Sequence, residues 1–378
     1  MEHRDGAVGT NRVRSRARRL DAPLSAVVRA LSGPRVAFSD SNGPDIVGCG
    51  VAATVTASGA DRFETVRQRA DDLLADADAP DGTPRPRLLG GFAFHDHHDA
   101  DGPWSGFPAA RFVLPRFQAV RAGGARWLVV NDCGTDDTAL DAALDDATER
   151  VADAATTSGP SPGVAAVTRT PEKAGWHEQV EGALDRIAAG DLEKVVLAQR
   201  LTADLRARFG LADALDRLGD TYPDCYRFAV EPPGGGVFFG ATPETLVAQR
   251  GTRVETEALA GSIGRGGTPA EDDRLARELV ESPKVRHEHG VVAETVADQL
   301  DPLAAAITVG DRSVRKLGNV QHLRTPIDAT LNEETHVLSV VAALHPTPAV
   351  GGRPPGTASA TIRETEAFER GWYAAPVG

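Results

Sequence analysis

The alternation of apolar and polar positions divides the chain into two stretches with different rhythms. In the first, short β-type runs at Val36–Phe38, Gly48–Thr56, Leu88–Phe94 and Arg126–Asn131 alternate with Ala- and Asp-rich helical stretches at Phe63–Ala77 and Thr138–Ala155. In the second, Trp176, Val180, Ala183, Leu184 and Ile187 recur at helical spacing until Gly190 supplies a stop. The next segment, Leu192–Ala198, reads as a strand in which Lys194 shares one face with Val196 and Ala198 while Val195 and Leu197 occupy the other. Both faces are apolar, so this strand is expected to be covered on both sides. A hairpin follows, Tyr226–Glu231 and Val237–Ala241 around a Gly-rich turn, and Glu244 stands at its exit directly after Pro243. The glycines there are turn chemistry, not a phosphate loop. Between Ala270 and Leu300 the period is helical and is broken at Ser282-Pro283, the pattern of a capping serine followed by proline in the first turn of a second helix. On that helix Val285, Val292, Val296 and Leu300 form an apolar stripe on which Glu288 falls, so a carboxylate is expected to face the interior.

The segment Ala154–Gly163 (AATTSGPSPG) is small, polar and rich in Pro and Gly; it reads as a linker between a first half, 1–153, and a second, 164–378. With 378 residues, 41% hydrophobic and 25% charged, the chain is long enough for one large core or two ordinary ones. Met1–Leu20 carries arginines and no apolar stretch of signal-peptide length, and no later run approaches ~18 apolar residues, which leads to the expectation of a cytoplasmic protein. The net charge of −13 is spread along the chain, which argues against nucleic acid or an anionic membrane as partner and favours small molecules. Three cysteines, Cys49, Cys133 and Cys225, have neither disulfide nor zinc-knuckle spacing and read as buried thiols. Basic residues are almost all arginine, a pattern that suits a salt-adapted, GC-rich organism. Only Lys173, Lys194, Lys284 and Lys316 are lysines, so each is a candidate for a task that arginine cannot perform.

Lys194 is the strongest of these. Its apolar strand neighbours disfavour the ammonium and push its pKa towards the ~7–8 useful to a general base, although a salt-bridged or snorkelling lysine fits the same spacing. Glu244 is equally open between a solvated turn residue and a general acid. Glu288 on an interior stripe needs a partner: a neighbouring cation such as Lys284 or Arg286, or a magnesium ion, which takes one or two carboxylates plus waters and substrate oxygens. His287 and His289, two apart on a helix, point away from each other and cannot share a zinc ion. His95, Asp96, His97, His98 and Asp99 read as a solvated loop after a strand, with no metal assigned.

Eight collinear segments then narrow the reading. They are Gly90–Phe94 (GGFAF), Phe112–Arg116 (FVLPR), Glu193–Ala198 (EKVVLA), Gly240–Glu244 (GATPE), Glu257–Ser262 (EALAGS), Lys284–His289 (KVRHEH), Val320–Leu323 (VQHL) and His345–Val350 (HPTPAV). From Leu88 onward the chain resembles the chorismate-utilising family, which includes isochorismate synthase, salicylate synthase, anthranilate synthase component I and aminodeoxychorismate synthase. The resemblance implies an α+β chorismate-binding fold, two stacked sheets with helices outside. Within the family, water-using members carry lysine where Lys194 stands and amine-transferring members typically glutamine; the segment His345–Gly352 also has the isochorismate synthase form. The resemblance therefore implies an isochorismate synthase, with Lys194 activating water for attack at C2 of chorismate and Glu244 protonating the departing C4 hydroxyl. By the same carry-over Glu288 holds part of a magnesium site, Gly261 and Ser262 line the substrate pocket, and His322, His345 and Ala349 lie near it. No glutaminase partner is expected, and the pathway served is menaquinone or catechol siderophore synthesis. Relatives continue beyond the position of Gly378 with further strands, a second magnesium carboxylate and substrate-clamping basic groups. The expectation is thus of a chain missing part of its C-terminal half. Two alternatives accompany this reading: an enzyme of the salicylate type, and a chorismate-binding remnant without activity.

Overall fold

The computed structural model describes residues 12–40, 43–134, 136–154 and 159–378; the expected linker Ala154–Gly163 lies partly outside the described residues. Among the described residues no helix is long and apolar enough to cross a membrane.

The largest sheet has seven antiparallel strands in the order Val13–Arg19, Ala125–Cys133, Phe117–Ala122, Asp45–Cys49, Arg35–Ser39, Tyr226–Glu231 and Phe238–Thr242. Alternation along each strand sends side chains to two different cores. On one side Ala37, Val47, Ala119 and Leu128 meet Val27, Leu140, Leu144 and Leu211 of the helices Leu24–Ala30, Asp137–Ala152 and Leu211–Thr221. On the other, Val36, Ile46, Val120 and Val230 meet Leu89, Phe107 and Trp372. The expected hairpin is present, and its strand Tyr226–Glu231 pairs with Arg35–Ser39, so the two sequence halves share one sheet. That pairing carries the hairpin exit, and Glu244 with it, to the margin between the large sheet and the next one.

The second sheet contains Ala248–Arg250, Arg253–Gly264, Val320–Leu331 and Ala304–Val309, with Ser313–Lys316 also paired to Val320–Leu331. Along Val320–Leu331 Leu323, Ile327, Ala329 and Leu331 are buried, and His322 and Arg324 face the other way. Of these, Ile327, Ala329 and Leu331 pack with Val292, Val296 and Leu300 of the helix Pro283–Leu300. Ser282 caps that helix, its Oγ accepting from the Val285 N–H at 3.4 Å, with Pro283 in the first turn.

Three smaller sheets complete the expected α+β architecture among the described residues. Ala53–Ala57, Ala110–Leu114 and Leu89–Phe92 form one, covered by the helices Arg62–Leu74 and Val337–Leu344. Arg200–Leu205 pairs with Val164–Thr170 as a ribbon exposed along nearly its whole length, with Val167 and Leu201 each 54% accessible.

The strand expected over Leu192–Ala198 is shorter than its apolar pattern suggested. Its ladder is Lys194–Val195 against Gly352–Arg353, extended at each end by the Glu193 N–H to the Arg353 carbonyl and the Val196 N–H to the Gly351 carbonyl. Val195 to Ala198 are only half-buried. The apolar run tracks contact with a loop, and a loop offers fewer ladder partners than a sheet.

Three other expectations change. Glu288 is not on the interior stripe: the buried position of that turn is His289, and Glu288 lies at the stripe's edge with its side chain 38% exposed. The loop His95–Asp99 is not uniformly solvated. Ser359 Oγ and His95 Nδ1 are 3.2 Å apart, and the fully covered His98 ring lies 2.8 Å from the Phe107 carbonyl through Nε2, with Glu369 at Nδ1. Of the cysteines, Cys49 and Cys225 are buried but Cys133 is only partly so, and all are free thiols.

Candidate active site

Between the hairpin exit and the second sheet lies a cavity of about 330 Å³. Five segments distant in sequence supply its walls: Lys194 from the short strand, Pro243 and Glu244 from the hairpin exit, Leu259 to Ser262 from one long strand and His322 from the long strand paired to it, and Glu288 from the helix Pro283–Leu300. Ala349 closes it from the loop before Gly352.

Lys194 reaches the cavity because its strand is pinned from three directions. Gly352 lies opposite Val195 in the ladder, and any Cβ on Gly352 would come 2.2 Å from the Lys194 carbonyl oxygen, so only glycine admits this approach. Arg370, 2% exposed, donates to the carbonyls of Val196 at 2.7 Å and Val350 at 2.8 Å, tying the strand to the facing loop. Its charge is met by the buried Glu366, which also accepts from the Ala198 N–H at 2.7 Å. The Lys194 amine donates to the Pro348 carbonyl. Burial pushes its pKa below that of an ordinary lysine, partly opposed by the carboxylates of Glu288 and Glu244.

Glu244 is governed by the opposite sign. Burial, then the neighbouring Glu257 carboxylate, raise its pKa to about 7, and Lys194 pulls the other way. At neutral pH it therefore keeps a substantial protonated fraction. The cavity thus holds a lysine shifted towards the neutral amine and a glutamic acid shifted towards the neutral acid. Titratable groups shifted by burial and by each other's charge within one cleft mark a candidate acid–base site.

The long strand Arg253–Gly264 makes a bulge at Gly261, whose φ is +80°. The register shift brings Ser262 opposite His322, and Ser262 Oγ lies 2.7 Å from His322 Nδ1. A Cβ at Gly261 would meet Val285 Cγ1 at 2.3 Å, so the glycine also permits close approach of the helix. Burial lowers the pKa of His322, a backbone bond to Gly261 opposes this and Arg315 adds to it, and the net direction favours the neutral ring. Beneath it, His289 bonds the Ala260 carbonyl at 3.1 Å and Thr325 Oγ1 at 2.8 Å, locking helix to strands.

Lys194, Glu244, Gly261, Ser262, Glu288, His322 and Ala349 are thus brought together. His345 is not among the cavity's lining residues. Its ring packs against Phe63 and Phe94, with Nε2 3.2 Å from the Phe94 carbonyl, and burial depresses its pKa to about 4. Residues that pattern alone did not single out are Leu259, the Pro348 carbonyl, Arg370 with Glu366, and Glu257 with its arginines. The i, i+4 spacing of Glu366 and Arg370 was visible, but that spacing is commonest on solvated helices.

The fold and the pocket are those of an enzyme with a candidate site for a small molecule. The chain matches the model of the chorismate binding enzyme family over residues 19–378, and it belongs to that family. It is 35% identical over 335 residues to the salicylate biosynthesis isochorismate synthase of Pseudomonas aeruginosa, covering 87% of this chain and 70% of that protein. It is 32% identical over 296 residues to the isochorismate synthase MenF of Bacillus subtilis, covering 78% of this chain and 63% of that protein. Among solved structures, the menaquinone-specific isochorismate synthase of Escherichia coli superposes with a TM-score of 0.78 at 26% identity, over 97% of this chain and 82% of that one. Anthranilate synthase component I of Streptococcus pneumoniae shares the fold, with a TM-score of 0.68 at 18% identity, over 100% of this chain and 83% of that one.

Proposed function

We propose that this protein is an isochorismate synthase, converting chorismate to isochorismate. The observation that carries the reading is the shared pocket of Lys194 and Glu244 with opposed shifts in protonation. Its support from outside the chain is the likeness to named isochorismate synthases. In this reading the neutral Lys194 amine takes a proton from water as its oxygen attacks C2. The ring double bonds shift, and the C4–oxygen bond breaks. Glu244 delivers its proton to the departing hydroxyl, because hydroxide leaves poorly unless protonated in the same step. One water enters and one leaves, and no redox partner is required. Ser262 and His322 present hydroxyl and ring nitrogen to the substrate's polar groups.

The residues present fit a magnesium ion with one protein ligand from this wall. Glu288 is half-exposed into the cavity, and Lys284, at 3.8 Å, is its only salt-bridge partner among the described residues. Among the described residues no cluster of three or more His, Cys, Asp or Glu forms a closed cage. One carboxylate with waters and substrate oxygens is a usual environment for magnesium. Bound there, the ion would neutralise and orient the substrate's carboxylate charge. Lys194 and Glu244 carry the proton transfers.

The test is incubation of the purified 378-residue chain with chorismate and magnesium, resolving isochorismate, salicylate and anthranilate by chromatography. Isochorismate alone is expected, with turnover lost to a chelator and restored by magnesium. Salicylate would move the assignment to an enzyme that also eliminates pyruvate, and absence of any product from folded protein would contradict it.

A further inference from the structure

Below the pocket, outside its lining, lies a charged cluster that acid–base transfer does not use directly. Glu257 stands two residues before Leu259 on the long strand, on the same face, with its side chain 4% exposed. A carboxylate so covered requires compensation. Oε1 accepts from Arg315 at 2.9 Å, and Oε2 accepts from Arg324 Nε. Arg324 is the more accessible clamp, with 38% of its side chain exposed.

Arg315 does more than neutralise. The same guanidinium donates to the carbonyl of Pro243 at 2.9 Å and to that of Asp224 at 3.3 Å. Pro243 immediately precedes Glu244, and the Glu244 N–H donates to Thr242 Oγ1 at 3.2 Å. Both polar groups of the Pro243–Glu244 peptide, its carbonyl and its N–H, are therefore engaged at the point from which the acid projects. A single arginine connects the second sheet, the turn before the hairpin and the hairpin exit.

We propose that Arg315 and Glu257 are positioning residues for Glu244, Arg315 fixing the strand exit that carries the acid and Glu257 seating Arg315. The proposal rests on Glu244 being the general acid. Glu257 has a second consequence, because a covered like charge opposes ionisation of its neighbour. The charged or titratable groups around the pocket are Lys194 from the short strand, Glu288 from the helix, and His322 and Glu257 from the long strands, with Arg315 and Arg324 behind Glu257. Since Glu257 carries the like charge and Arg324 offsets it, the two have opposite effects on the Glu244 proton.

The experiment is an isotope-edited infrared titration of the full chain, following the protonated-carboxyl band that disappears in Glu244→Gln. Glu257→Gln is expected to move its midpoint to lower pH, and Arg324→Gln to higher pH. Arg315→Lys is expected to lower kcat for chorismate by about 10- to 100-fold with KM little changed, because misplacement of a proton donor affects the chemical step. If Glu257→Gln does not fold, the half-exposed Arg324→Gln decides the sign by itself. Midpoints unmoved in the variants that fold, with kcat of Arg315→Lys equal to wild type and Glu244→Gln inactive, would overturn the proposal and leave the acid assignment standing. A Glu244→Gln variant that turns over at the wild-type rate would instead remove the acid assignment, and the proposal with it.

Discussion

Lys194 and Glu244 are needed in their uncharged forms, and that sets the pH response at the residue scale. Lowering pH protonates the lysine, and raising pH ionises the glutamate, so kcat/KM should fall on both sides of an optimum with one corner near 7. Lys194→Ala is expected to lower kcat by about 10²- to 10⁴-fold, the usual worth of a positioned base, with little change in unfolding midpoint. Steady-state kinetics across pH with urea unfolding of the same variant would check both, and an unchanged kcat would remove the base from the mechanism. Much of this site was legible in the chain. A lysine in an arginine-dominated sequence, placed between apolar strand residues, already had a chemical reason to be where it is. The sign of the Glu244 shift was not legible, because it depends first on burial by segments distant in sequence and then on Glu257, thirteen residues later and across a strand pairing. His345 shows the reverse error: its segment belongs to the pocket, but the ring turns away against Phe63 and Phe94.

At the scale of elements, the bulge at Gly261 is what makes one face of a strand chemical. Without the register shift, Ser262 would follow strict alternation to the side of the buried helix and leave His322. Gly261→Ala places a Cβ where φ is +80° and 2.3 Å from Val285 Cγ1. It is expected to cost about 1–3 kcal/mol in urea unfolding and to reduce kcat/KM. Gly264→Ala on the same strand, with open space around its Cβ, serves as the control and should change neither. Equal losses in both variants would show that the bulge has no special role. The helix Pro283–Leu300 teaches a related lesson. Its start and its stripe were readable from Ser282-Pro283 and the valine spacing, but which of two adjacent residues sits inside was not. A buried histidine at 289 satisfied by Ala260 and Thr325 costs less than an ionised carboxylate there, and so Glu288 is left at the pocket's edge.

For the molecule as a whole, the net charge of −13 adds a repulsive term that folding must overcome and that salt screens. The melting temperature is expected to rise between low salt and about 1 M potassium chloride, a range over which the Debye length shrinks to ~3 Å. Differential scanning calorimetry across that series would test it, and a flat or falling melting temperature would mean that screened Arg–Asp pairs outweigh the excess negative charge. The same whole-molecule view shows why the two sequence halves are not independent layers: the hairpin Tyr226–Thr242 completes a sheet begun by residues of the first half. The exposed ribbon Val164–Thr170 with Arg200–Leu205 was not foreseen either, because its residues alternate too weakly to announce a face.

The sequence by itself determined the period of each major element, the capping of the helix at Ser282, the scarcity of lysine, and the family through collinear motifs, since all of these are local or ordered along the chain. Only the tertiary structure decided which side chains share a dielectric environment. Protonation depends on burial and on charges a few ångströms away, and what sets it for Glu244, burial first and then Glu257 and Lys194, comes from segments that meet only when the sheets assemble.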